Sequence, residues 1–104
     1  MGNIEQLIGK PALLEQLAEE ASELTKAALK LSRILRGENP TPVTEQEAIN
    51  DLIEEYSDVI QCARELKLRQ DEDQIRHKDI RWHDRIKNSI LEGVIHEKQN
   101  KNNN

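Results

Sequence analysis

At 104 residues the chain has room for one domain, near the lower end of the size that supports a good core alone. It contains no phenylalanine, and Trp82 and Tyr56 are its only aromatic residues, so aliphatic side chains must build the core, which favours helix-on-helix packing over a sheet. The net charge of −5 argues against general nucleic-acid binding, and the apolar runs are too short to span a membrane.

The charge differs between two parts of the chain. Residues 1–68 carry 13 acidic and 7 basic residues, a net of −6, whereas residues 69–104 carry 7 acidic and 8 basic residues, a net of +1. This arrangement suits a metal bound by one part and phosphates bound by the other, although ordinary variation in surface charge explains it equally well. Cys62 is the single cysteine, so we expect no internal disulfide and no cysteine metal site. Because no signal peptide is recognisable, we expect a cytoplasmic protein.

The apolar spacing predicts two helices before residue 38. A short first helix carries Ile4, Leu7 and Ile8 and ends at Gly9. The second is predicted from Pro11 to Arg36, with Gly37 as its C-cap. Its predicted core residues recur at alternating spacings of three and four: Leu14, Leu17, Ala21, Leu24, Ala28, Leu31 and Leu35.

A loop containing Pro40 and Pro42 separates these helices from a third, which Thr44 opens as a capping residue paired with Glu47. We expect this helix to run to about Leu68. Its predicted core residues are Ile49, Leu52, Tyr56, Val59, Ala63 and Leu66.

A fourth helix is predicted after a cap at residues 71–73, and from Glu97 the chain becomes a polar segment that cannot bury apolar surface. The sequence therefore predicts an all-α domain over residues 1–96 and a disordered polar tail over 97–104. The domain is expected to be a four-helix-type bundle with two long central antiparallel helices. The residues of the fourth helix predicted to point inward are Ile75, Trp82, Ile86, Ile90 and Val94.

Carboxylates on the two long helices carry the strongest functional signal. Glu19, Glu20 and Glu23 form the pattern E-E-x-x-E, and Glu55 and Asp58 form E-x-x-D. Apart from Glu19, each precedes a predicted core position by one residue, so four carboxylates are expected to converge where the helices pack. Converging carboxylates repel one another unless a cation lies among them, and an oxygen-only ligand set suits Mg²⁺ or Mn²⁺. The alternative is that these are solvated surface acids paired with lysines.

The last helix adds a second group of candidate residues. Lys78, Trp82 and Arg85 lie along one helical stripe, where two cations beside an aromatic ring are suited to binding a triphosphate and packing on a base or sugar. The alternative is that Trp82 is a core residue, which is the more common role of a sole tryptophan at an apolar position of a helix. Cys62 is interpreted as a small buried apolar residue, because no histidine is placed to activate it as a nucleophile.

The two carboxylate motifs together resemble the signature of the MazG-like, all-α nucleoside triphosphate pyrophosphohydrolases, and the resemblance covers about residues 4 to 90. It implies a homodimer or homotetramer that hydrolyses a (d)NTP between the α and β phosphates. The loop between the motifs is longer than is usual in that family. The resemblance implies Mg²⁺ ligation by Glu20, Glu23, Glu55 and Asp58, a supporting or water-activating role for Glu19, and phosphate contacts from the stretch between Lys78 and Arg85.

Three alternatives remain open at the level of sequence. The first is a phosphoribosyl-ATP pyrophosphohydrolase, which uses a similar helical bundle. The second is a non-enzymatic helical interaction module whose acidic faces are solvated. The third is a regulator that binds metal without hydrolysing a nucleotide.

Overall fold

The computed structural model describes the backbone of residues 3–38 and 42–102, and all side chains in these ranges except those of residues 95, 96 and 98–102. The regular structure in this part of the chain is entirely helical, as predicted. The four helices are α1 (Ile4–Ile8), α2 (Lys10–Arg36), α3 (Glu45–Glu65) and α4 (Glu72–Asn102). They form two compact units, Met1–Leu68 and Arg69–Asn104, where the sequence predicted one domain over residues 1–96.

Local capping interactions set the ends of α1 and α2. The side chain of Asn3 accepts a hydrogen bond from the Glu5 N–H at 2.9 Å, which begins α1. Gly9 separates α1 from α2 with a φ of +88°, a conformation that other residues rarely adopt. Gly37 ends α2 in the left-handed region and donates its N–H to the carbonyl oxygen of Ile34, as expected for a C-cap.

The predicted cap of α3 is present, but the helix ends before the predicted residue. Thr44 Oγ1 accepts a hydrogen bond from the Glu47 N–H at 3.1 Å. At the other end Lys67 has a φ of +58°, and the N–H of Leu68 donates to the carbonyl oxygen of Ala63. This Schellman arrangement ends α3 at Glu65 rather than near Leu68. Pro40, predicted in the loop before α3, lies outside the described residues.

The core of the first unit lies between α2 and α3, and the predicted phase of α2 is wrong at four positions. Leu14 and Leu35 are 46% and 62% exposed, and Ala21 and Ala28 are also exposed. The observed series has the same heptad spacing as the predicted one and shares Leu17, Leu24 and Leu31 with it, but it continues through the positions one residue earlier at the other turns. That buried or half-buried series is Leu13, Leu17, Leu24, Ala27, Leu31 and Ile34.

On α3 the prediction holds at most positions. Leu66 is buried and Ile49, Leu52, Val59 and Ala63 are half-buried, whereas Tyr56 is exposed, contrary to expectation. Tyr56 follows Glu55, and it is the glutamate that takes the half-buried position next to α2. Cys62 is buried, as predicted, and Ala48 is also buried, although it was not among the predicted core residues.

The second unit contains the single helix α4, which continues to Asn102 through most of the segment predicted as a tail. Residues 103 and 104 lie outside the described residues. A lone helix has no neighbour within its unit on which to pack an apolar stripe, so the predicted inward orientation is not seen. The residues concerned, all exposed, are Ile75, Trp82, Ile86, Ile90 and Val94. In the described part of the chain, no helix has the length and apolar character needed to cross a membrane.

Candidate metal centre

Helices α2 and α3 pack in opposite directions, which brings their acidic motifs to the same level. Near the start of α2, Gln16 and Glu20 line a cavity with Asp58 and Glu65 of α3. Further along α2, Glu23 and neighbouring residues line a second cavity with Glu55 and residues near the start of α3. The E-E-x-x-E motif therefore lies opposite the E-x-x-D motif.

Three carboxylates from the two helices converge between these cavities. Glu20, Glu55 and Asp58 each offer an oxygen atom, and these atoms lie within 4.8 Å of one another. All three side chains are half-buried. Glu20 and Glu55 occupy heptad positions of the α2–α3 contact that are held elsewhere by aliphatic residues, so packing of the pair forces them together.

The electrostatics of this cluster favour a bound proton or cation. The pKa of Glu55 is raised by its desolvation and then by the negative charges of Asp58, Glu20, Glu23 and Glu54. Gln16 donates a hydrogen bond from Nε2 to Glu20 Oε1 at 2.7 Å, which orients that carboxylate without neutralising it. Among the described residues no lysine, arginine or histidine forms an ion pair with Glu20, Glu55 or Asp58.

The other two predicted acids of α2 lie outside this group of three. Glu23 forms an exposed ion pair with Lys26 at 3.2 Å, yet it lines a cavity with Glu55 and its charge contributes to the raised pKa of that residue. An exposed pair of this kind contributes about 0–1 kcal/mol, so a metal ion could displace Lys26 from Glu23 at small cost. Glu19 is exposed and is not part of the cluster.

The predicted substrate-binding residues belong to the other unit. Lys78, Trp82 and Arg85 are all exposed on α4. Trp82 and Arg85 line a shallow groove along this helix with Ile86, Ser89 and Ile90, and Lys78 does not line it. Within α4, an aromatic ring and a guanidinium are thus available side by side.

A cavity of about 230 Å³ adjoins the carboxylate cluster and was not anticipated from the sequence. Glu20 and Asp58 form part of its wall, Ile4 and Ile8 of α1 supply apolar surface, and Gln61 supplies an amide. The signal that could have found Gln61 is its spacing, since it follows Asp58 by three residues on the same helix. The remaining lining residues are Leu13, Gln16, Cys62 and Glu65.

Cys62 forms part of this cavity but is poorly suited to nucleophilic catalysis. Burial raises the pKa of its thiol, and the negative charges of Glu20, Asp58 and Glu65 raise it further. The thiol therefore stays protonated at neutral pH, in agreement with its interpretation as a small buried residue.

The raised pKa of Glu55 gives a testable dependence of stability on pH. In the absence of metal, folded Glu55 holds its proton at a higher pH than unfolded Glu55, so the free energy of unfolding falls as pH rises from the usual glutamate pKa through the raised one. Glu55→Gln should remove this contribution, giving a Tm above that of the parent chain once pH exceeds the window. Differential scanning calorimetry across a pH series, without divalent ions, measures this. A variant that melts below the parent at neutral pH would contradict the conclusion that the ionised Glu55 side chain destabilises the folded state.

No model of a known protein family matches the chain, and neither a curated protein nor a solved structure matches it. The functional interpretation therefore depends on the carboxylate cluster, the cavity beside it and the sequence motifs that contain the carboxylates.

Proposed function

We propose that this protein is a Mg²⁺-dependent nucleoside triphosphate pyrophosphohydrolase of the MazG-like type, which cleaves a (d)NTP to a (d)NMP and pyrophosphate. The observation that carries the proposal is the convergence of Glu20, Glu55 and Asp58 from two helices to within 4.8 Å, half-buried and without a cationic partner in the described part of the chain. A divalent ion with oxygen ligands relieves this repulsion, and such ions usually serve phosphate chemistry.

The donor set fits Mg²⁺, or Mn²⁺ in its place. Glu20, Glu55 and Asp58 would hold the ion, and Glu23 would complete the set after release from Lys26. When bound, the ion supplies charge neutralisation on the triphosphate and lowers the pKa of coordinated water. Hard oxygen ligands without histidine or cysteine favour these ions over zinc.

The residues of the chain have separate roles in the proposed reaction. Glu19 or Glu20 accepts a proton from the attacking water while the oxygen of that water bonds to phosphorus. The P–O bond between the α and β phosphates breaks, which releases pyrophosphate. As the family resemblance implies, we propose Lys78 and Arg85 of the second unit as phosphate-binding residues and Trp82 as a residue that packs on a base or sugar. We further propose that the protein acts in the cytoplasm as a homodimer or homotetramer.

Within the first unit, the cavity beside the carboxylates is an alternative to Trp82 as the binding site for the organic part of a nucleotide. Its volume of about 230 Å³ is below the ~300–1,000 Å³ typical of pockets that enclose a whole drug-sized ligand, so it has room for a fragment such as a base. Ile4 and Ile8 provide apolar surface for a ring, and the amides of Gln16 and Gln61 offer hydrogen-bonding groups to its edge.

Metal-dependent stabilisation and pyrophosphate release together test this function. We expect Mg²⁺ or Mn²⁺ to raise the Tm, corresponding to about 2.7 kcal/mol of added stability at a hundred times the dissociation constant. We also expect pyrophosphate from at least one member of a panel of canonical and modified (d)NTPs that includes phosphoribosyl-ATP. An interaction module predicts neither effect, and a metal-binding regulator predicts the Tm increase alone. Preference for phosphoribosyl-ATP would assign the related pyrophosphohydrolase instead.

A further inference from the structure

The carboxylate cluster lies between two cavities of different chemistry, both bordered by α2 and α3 of the first unit. The cavity on the side of α1 has apolar surface from Ile4 and Ile8. The other cavity, of about 270 Å³, is lined by Lys26 and Lys30 and is here called the lysine cavity. A molecule with an organic end and an anionic end would therefore meet suitable surroundings on opposite sides of the cluster.

The two lysines are placed to reach an anion beside the cluster. They follow Glu23 by three and seven residues, a rise of about 4.5 and 10.5 Å along α2. Side chains of a helix lean toward its N-terminus, so both lysines lean back toward the cluster. Lys26 already spans its interval, since its Nζ atom lies 3.2 Å from Glu23 Oε1. Lys30 is half-buried and forms no ion pair with any residue that the structure describes, so its ammonium group is available to an incoming anion.

The charge of the lysine cavity makes anion binding depend on a metal ion. In the described part of the chain, the charged residues that line it are Lys26, Lys30, Glu23, Asp51 and Glu55. With all five groups ionised the net charge is −1, which repels a phosphate, whereas a divalent ion held by the carboxylates changes it to +1. Coordination of a metal by Glu23 also weakens its ion pair with Lys26, which frees that ammonium group for a phosphate oxygen.

We propose that the lysine cavity binds the leaving pyrophosphate, with Lys30 and the Lys26 released from Glu23 contacting its oxygen atoms. The β and γ phosphates of the substrate extend from the cluster along α2 toward Lys30, away from Ile4 and Ile8. When the bond between the α phosphorus and the bridging oxygen breaks, the electron pair stays on that oxygen, and the two ammonium groups offset the added negative charge.

This inference rests on the proposed hydrolase function, since a metal ion at the cluster is what makes the lysine cavity attract an anion. It goes beyond that function by assigning phosphate contacts to α2 in the first unit, in addition to those proposed for Lys78 and Arg85 on α4. It also gives the triphosphate a direction along α2.

Binding of pyrophosphate to the full chain tests Lys30 without requiring turnover. Isothermal titration calorimetry with pyrophosphate at saturating Mg²⁺ should show binding by the parent chain. The dissociation constant should be at least about tenfold higher for Lys30→Gln, as expected for loss of a hydrogen bond between charged groups. The matched control is Lys10→Gln, which lies ten residues before Glu20 on α2 as Lys30 lies ten residues after it, and which lines neither cavity. This control should stay within about twofold of the parent.

Lys26→Gln should change metal binding and pyrophosphate binding in opposite directions. Without its ion pair, Glu23 should leave the affinity for Mg²⁺ unchanged or raise it up to about fivefold, the range expected for an exposed pair. The affinity for pyrophosphate at saturating Mg²⁺ should fall about threefold or more, because one ammonium group is lost from the site. Calorimetric titration with Mg²⁺ alone, and then with pyrophosphate, measures both quantities. A merely structural role for Lys26 would lower the two affinities together and would contradict the inference.

The inference and the proposed function can fail separately. The function fails if the parent chain shows no rise in Tm with Mg²⁺ and releases no pyrophosphate from any nucleotide tested. The lysine cavity alone is excluded if the parent chain passes both of those tests while Lys30→Gln binds pyrophosphate as tightly as the parent does. An equal loss of affinity in Lys10→Gln and Lys30→Gln would also overturn the inference, because overall charge would then explain the binding. So would a parent chain that binds no pyrophosphate at saturating Mg²⁺.

Discussion

Replacing Asp58 with asparagine, or Glu55 with glutamine, is expected to lower metal-dependent pyrophosphate release at least about a hundredfold, since charge stabilisation by a bound metal contributes several kcal/mol to phosphate chemistry. Either amide keeps the size and shape of the side chain while removing one of three converging negative charges. Steady-state rates at saturating Mg²⁺, together with the Tm increase produced by Mg²⁺, measure the effect. Both quantities should fall together.

The matched control is Glu54→Gln, one residue away on the same helix. Glu54 is exposed and is not one of the three clustered carboxylates, although its charge contributes the smallest part of the raised pKa of Glu55. We expect the rate of pyrophosphate release by this variant to stay within about twofold of the parent rate, because the interaction of Glu54 with the cluster is weak and screened by solvent. Equal losses of pyrophosphate release in the Asp58 and Glu54 variants would mean that the overall negative charge of α3, and not the carboxylate cluster, supports the reaction.

Truncating Leu13 to alanine is expected to lower the free energy of unfolding by about 2–5 kcal/mol, the usual range for a buried leucine. Leu13 is only 2% exposed, in a chain with few buried residues, so the loss is large relative to the total stability of so small a protein. Urea denaturation followed by circular dichroism at one fixed protein concentration measures the change.

Leu7→Ala provides the comparison for this core substitution, because Leu7 is 73% exposed. Its effect should be within about 0.5 kcal/mol, as for most surface substitutions. If both truncations cost the same, the packing of α2 through Leu13 would have to be rejected.

The helices of this protein could be predicted from sequence wherever the signal is local. The hydrogen bond at Thr44 and the left-handed conformation of Gly37 depend only on residues a few positions away, so the local sequence is enough to predict them. The end of α3 was misplaced because Lys67, a residue with no special preference for positive φ, adopts the conformation that a glycine usually supplies.

The phase of α2 and the exposure of α4 could not be read from the sequence for a different reason. Leu13 and Leu14 begin two apolar series of identical spacing, and spacing alone does not say which series meets α3. On α4 the apolar residues do recur at helical spacing. Their burial depends on which helix packs against them, and the spacing does not identify that helix.

Part of the candidate site followed from the sequence, because fixed spacing on two consecutive helices was enough to predict that acids from both would meet. The structure brings together Glu20, Glu55 and Asp58, and it places Glu23 beside them in an ion pair with Lys26. The cavity was missed, because Ile4 and Ile8 lie on a separate short helix whose approach depends on the backbone between α1 and α2.

That backbone connection is Gly9. The φ of +88° at this residue directs α1 across the start of α2, and a Cβ atom there would meet only Pro11 Cδ, at an ordinary 3.9 Å, so the restriction comes from the main chain and not from crowding. The wall of the cavity that α1 supplies is therefore connected to α2 through one residue, whereas the clustered carboxylates lie on the two long helices. Substitutions in α1 or at Gly9 can thus change which ligands the cavity admits without moving those carboxylates.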